Sequence, residues 1–87
     1  SAVSNTSGLA GIAHWINTYF KLRGEKALEK TSPLVTEIKA WVDQEYADGR
    51  VTVMTDEELL TEISAVEKKL GISLTDTAEQ KKKVINK

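Results

Sequence analysis

Eighty-seven residues make one domain, and a chain this short buries only about 60% of the surface its unfolded form exposes, so it holds one modest core. Hydrophobic residues make up 40% and charged residues 29%, the proportions of a soluble globular protein, and a formal net charge of -1 provides no long-range field to gather nucleic acid or an anionic membrane. The absence of cysteine excludes disulfides, thiolate catalysis and cysteine-ligated metals, and no apolar run approaches the roughly 20 residues of a membrane span.

The chain starts on serine, so its beginning reads as processed or as a cut from a longer chain. Residues 1–7 read as a flexible lead-in, without the basic start and apolar centre of a signal peptide. The first helix is expected over about 8–22. Leu9, Ile12, Ala13, Ile16, Tyr19 and Phe20 fall at helical spacing on one face, Ser7 is placed as N-cap and Gly24 as C-terminal cap. Gly8 and Gly11 are poor helix formers and suggest the close approach of another backbone or a ligand. A polar link, 25–30, leads to Ser32-Pro33, a serine N-cap followed by proline at the first helical position. The second helix, about 33–47, carries the stripe Leu34, Ile38, Trp41, Val42 and Tyr46, and ends at an Asp48-Gly49 turn. Arg50–Met54 alternates like a short extended segment, too little for a sheet by itself. Thr55–Glu58 is a capping box opening a third helix, about 56–70, with Leu59, Leu60, Ile63, Val66 and Leu70 inward and Gly71 as terminator. A second capping box at Thr77–Gln80 opens a basic helical tail, 77–87. The expected fold is mainly α: a small bundle of three helices plus a short C-terminal helical segment, with one extended segment, the subdomain spanning 8–76. Short loops favour antiparallel neighbours.

The chemistry-bearing residues are few. His14 is the only histidine, and a lone imidazole can serve as a general base near neutrality. It falls off the Leu9–Ile12–Ile16 stripe, which favours a surface or interface residue. Asn17 and Thr18 at i+3 and i+4 supply no partner ligands, so no metal site is expected. Asp56-Glu57-Glu58 resembles paired carboxylates, but acids in a first helical turn are favoured by the free amides and the helix dipole. Lys81-Lys82-Lys83, without interleaved aromatics, reads as a solvated tail. Trp41 and Tyr46 read as core. Trp15 lies about 100 degrees round the helix from Ile16, so burying both requires cover on two sides, and an apolar surface of that kind marks a partner face. Trp15, Ile12, Ile16 and Phe20 are the expected interface, for a second copy of the chain or a larger partner. Ser7-Gly8-Leu9-Ala10-Gly11, with accessible amides at a helix start, is the kind of element that holds carboxylates and phosphates, although it lacks the ending of a Walker loop.

Ser7-Gly8-Leu9-Ala10-Gly11-Ile12-Ala13-His14 resembles the stretch that follows the barrel in 2-isopropylmalate synthases and homocitrate synthases, which read Ser-Gly, two variable residues, Gly, an aliphatic, Ala and often Tyr. The Gly49–Thr52 piece and the capped acidic start Thr55–Leu60 extend the likeness over about residues 3–70; residues 71–87 show none. The resemblance implies a cytoplasmic helical subdomain of an acetyl-CoA-dependent, Claisen-type acyltransferase acting on a 2-oxo acid. The divalent metal and the base would be held by the barrel, and the subdomain would cover the partner subunit's active site in a dimer. No cofactor is implied for this stretch itself. Ser7, Gly8 and Gly11 become candidate substrate contacts, and His14 and Tyr19 candidate catalytic residues. Some relatives supply a histidine in a Thr-x-His-Gly-Leu-like context. Thr18, Tyr19, Phe20, Lys21 and Leu22 match it with Phe20 in the histidine's place, so that role does not transfer. The alternative, from another class, is a free-standing helical interaction module.

Overall fold

The computed structural model of the protein describes residues 2–74. In chain order it forms α1 (Leu9–Phe20), a single 3₁₀ turn (Gly24–Lys26), α2 (Pro33–Ala47) and α3 (Asp56–Leu70). No strand occurs among the described residues: Arg50–Met54, expected to be extended, is irregular and bends at Thr52. The second capping box and the basic tail lie outside the described residues, as does the end of the expected subdomain at 75–76.

Helix α2 is the middle layer and packs against both α1 and α3. Its inward residues Leu34, Val35, Ile38 and Val42 have no solvent exposure. They meet Ile12, Ala13 and Ile16 from α1 and Leu59, Ile63 and Val66 from α3 in one purely apolar core. The spacing of these residues, three and four apart on each helix, turns one stripe per helix inward. Trp41 and Tyr46 pack partly buried on the rim of this core. Among the described residues no helix is long and apolar enough to cross a membrane.

Val3, which the sequence placed in a flexible lead-in, lies in the core at 2% exposure. Its carbonyl accepts the amide of Met54, itself buried, at 2.9 Å, so the N-terminal segment is tied to the α2–α3 connection. An isolated valine among polar residues carries no periodicity, and only this contact reveals its position.

The helix ends follow the expected signals in the second half and depart from them in the first. Thr55 and Glu58 make both bonds of the capping box, and Gly71 closes α3 at a left-handed φ of 70°. Pro33 opens α2, although the Ser32 hydroxyl makes no cap bond. At α1 the N-cap is Gly8, while Ser7 turns its Oγ back to accept the Ser4 amide at 3.0 Å. The C-cap is Lys21, not Gly24, with φ 56°. Beyond the cap, the Asn17 side chain reaches the link: it donates to the Leu28 carbonyl at 2.9 Å and accepts the Leu28 amide at 2.7 Å. This two-point clasp folds the 21–28 link back along α1 and leaves Gly24 to start the 3₁₀ turn, at φ 58°.

Candidate functional site

The inward stripe of α1 fixes what its other side presents. With Ile12, Ala13 and Ile16 buried, helical spacing sends His14, Trp15, Thr18 and Tyr19 outward. Ile12 and Ile16 are each 1% exposed and belong to the chain's own core, which corrects their assignment to a partner surface: the turn from residue 12 to 16 is what α2 covers. Trp15 and Phe20 remain partly buried at its edge, and Tyr19 stands 48% exposed. The indole of Trp15 stacks on the Tyr19 ring at 5.2 Å with 13° between planes, and Tyr19 meets Phe20 edge-on at 5.2 Å. Stacking at i and i+4 replaces the second covering helix that Trp15 otherwise requires.

Two shallow depressions flank this row. One, of about 180 Å³, is lined by His14, Trp15, Thr18 and Tyr19. The other, of about 290 Å³, is lined by His14, Asn17, Thr18, Lys21, Leu22 and Arg23. His14 and Thr18 form the wall they share. An aromatic hollow therefore adjoins a cationic one.

The remaining candidates lie elsewhere. Ser7, Gly8 and Gly11 sit at the opposite end of a twelve-residue helix, about 18 Å long by its rise per residue. The structure does not bring them together with Tyr19. A side chain added at Gly8 or Gly11 would meet nothing within 4 Å, so among the described residues no neighbouring segment approaches there, and both positions are open toward a partner or ligand. The first turn of α1 has no side-chain cap. Among the described residues no group of three or more histidine, cysteine or carboxylate side chains could hold a metal ion.

Sequence reasoning missed the strongest electrostatic feature, centred on Arg50. Its guanidinium makes a two-pronged ion pair with Glu58, including Nη1 to Oε2 at 2.6 Å, and a further bond to Glu45 at 3.1 Å. It also donates to the carbonyls of Thr52 and Val53, each at 3.0 Å, and the Tyr46 hydroxyl donates to Thr52 as well. The end of α2, the connection and the start of α3 are thus held by one side chain, only 14% exposed. The Arg50 hydrogen bond, then the Thr55 amide, draw the Glu58 carboxyl down to about 2, and Glu58 raises Arg50 above its ordinary value. Alternation was no guide to it, since Thr52, of the same parity as Arg50 and Met54, is exposed at a bend; once Arg50 turns inward it requires a carboxylate. Beside this clasp lies a third hollow, about 310 Å³, lined by Trp41, Glu57, Glu58, Thr61 and Glu62.

The chain is similar to two synthases. Over 65 residues the chain is 45% identical to the citrate (Re)-synthase of Clostridium kluyveri, a stretch covering 75% of this chain and 14% of that protein. It is 44% identical over 57 residues to the citrate (Re)-synthase of Syntrophus aciditrophicus, covering 66% of this chain and 9% of that protein. The chain thus spans about one seventh of the first relative's length and less than a tenth of the second's. No family model matches it, and no solved structure does.

Proposed function

We propose that this chain is the helical subdomain that follows the catalytic barrel in a citrate-forming, Claisen-type acyltransferase related to the 2-isopropylmalate and homocitrate synthases. The supporting observation is the 45% identity to a citrate (Re)-synthase over three quarters of the chain. The order of motifs from Ser7-Gly8 to Thr55–Glu58 agrees with it. The 2-oxo acid that yields citrate by condensation with the acetyl group of acetyl-CoA is oxaloacetate. This replaces the branched-chain and 2-oxoglutarate substrates of the families the sequence resembles.

The reaction joins the acetyl methyl carbon to the oxo carbon and then releases the thiol by hydrolysis of the thioester. It needs a base for the methyl proton and an electrophile for the developing alkoxide. A divalent metal would polarise the oxo group. On this proposal the residues that hold it belong to the barrel. The part left to this chain is cover: α2 and α3 form a stiff base, and the outer face of α1 carries His14, Trp15 and Tyr19 over the active site of a partner subunit in a cytoplasmic dimer.

A graft tests the proposal. The equivalent stretch of the Clostridium kluyveri enzyme is replaced by this chain, and thiol release from acetyl-CoA with oxaloacetate is measured. The graft is expected to keep activity within about tenfold of the parent, a loss of about 1.4 kcal/mol in transition-state stabilisation, while deletion of the stretch abolishes it. A folded graft as inactive as the deletion refutes the role. The isolated chain is expected to show no turnover.

A further inference from the structure

The charge of this chain is unevenly placed. Residues 1–24 contain no aspartate or glutamate; every one of the 13 acids lies at Glu25 or beyond. The only Lys or Arg side chains in that acid-free stretch are Lys21 and Arg23, and both line the hollow at the C-terminal end of α1. The ion pairs among the described residues join Lys39 to Asp43, Arg50 to Glu45 and Glu58, and Lys69 to Glu37, so Lys21 and Arg23 enter none of them. On the other side of the His14–Thr18 wall lies the stacked pair of Trp15 and Tyr19. A flat aromatic surface next to two cations that no described carboxylate pairs matches a ligand with a flat, aromatic end and an anionic end. Trp15 and Lys21 are six residues apart, about 9 Å along the axis, a span suited to a purine and the phosphates on its ribose.

We propose that the outer face of α1 binds the adenine-nucleotide end of coenzyme A, the base continuing the Trp15–Tyr19 stack and the phosphates meeting Lys21 and Arg23. Bases stack on aromatic side chains irrespective of sequence, and arginine meets phosphate through a rigid fork of donors. The carboxyl end of a helix carries partial negative charge. Here the amides of Lys21 and Leu22 occupy the carbonyls of Asn17 and Thr18, and two full positive charges outweigh the partial charge that remains. The acidic third hollow, with Glu57, Glu58 and Glu62, would repel the same ligand. The choice of coenzyme A as carrier rests on the synthase reading; the nucleotide chemistry of the face does not.

The test uses the 87-residue chain with adenosine 3′,5′-bisphosphate as probe, followed by amide chemical shifts and by Trp15 fluorescence in a Trp41→Phe background. Saturable shifts confined to residues 14–23 are expected, together with quenching, and coenzyme A should reproduce them. Pantetheine and inorganic phosphate should not. Lys21→Gln/Arg23→Gln should weaken binding by about tenfold or more, as should Trp15→Ala, with Tyr19→Leu as a milder variant that keeps apolar volume. Circular dichroism establishes that each variant is folded. Absence of saturable shifts up to about 10 mM, equal shifts from inorganic phosphate or pantetheine, or indifference to the charge variants overturns the proposal. Nucleotide binding with an inactive graft would sink the synthase reading alone, and an active graft without nucleotide binding would sink only this inference.

Discussion

Helix α1 lacks a side-chain N-cap and ends on a lysine in a left-handed conformation, whereas α3 has a complete capping box at one end and a glycine at the other. The α2–α3 connection is clasped by Arg50; among the described residues the α1–α2 link is held by the side-chain bonds of Asn17. Acids crowd the second half and are absent from the first 24 residues. The hairpin of α2 and α3 is therefore built for stiffness by local devices, each satisfying backbone or charge within its own segment. Helix α1 relies on the apolar stripe it lends to the core, and its outer face enters no ion pair among the described residues. Stability and recognition are separated by element, which a single mutation on either side can test.

The largest effect is expected where the two regions share atoms. Ile38 on α2 is fully buried and belongs to the core cluster supplied by all three helices. Ile38→Ala should remove about 2–5 kcal/mol of stability through lost contacts and the cavity left behind, enough to unfold much of a domain this small. Urea denaturation measures it. A loss confined to one helix would show that α1 and the hairpin fold independently, and the division drawn here would become a division into two units.

A smaller loss is expected from acid, and it should fall on the hairpin. The Glu58 carboxyl is held at about 2 against an ordinary value of 4.5, so the folded state favours its ionised form. The stability this contributes is fully present above pH 4.5 and is lost as the pH falls from there toward 2. Arg50→Ala should flatten that pH dependence as well as lower the melting temperature. If Arg50→Ala and the parent lose stability in parallel over this range, the clasp is not the acid-sensitive element.

The smallest effect has the opposite sign. Gly11 lies inside α1 with open space where a side chain would project. Gly11→Ala should stabilise the isolated chain by about 0.5–1 kcal/mol, since alanine loses less backbone freedom in a helix. Thermal melting detects this. The same substitution sharpens the comparison in the grafted synthase. There, lower activity despite higher stability would show that another part of the enzyme approaches Gly11 closely.

The sequence by itself determined the three helices to within two residues, and the caps of α3, because these depend on spacing and on side chains within one turn of each other. It also pointed to the synthase likeness through short motifs that survive without a structure. Tertiary structure alone decided the rest. Val3 became core because Met54 pairs with it across 51 positions of chain. Lys21, not Gly24, took the C-cap, and Asn17 found Leu28 eleven positions away. Ile12 and Ile16 left the expected interface because α2 covers that side of α1, and Trp15 and Tyr19 stayed outside, stacked on each other. Periodicity shows that a helix has an apolar face, but which arc a neighbour covers, and which arc remains for a ligand, is fixed only when the helices meet.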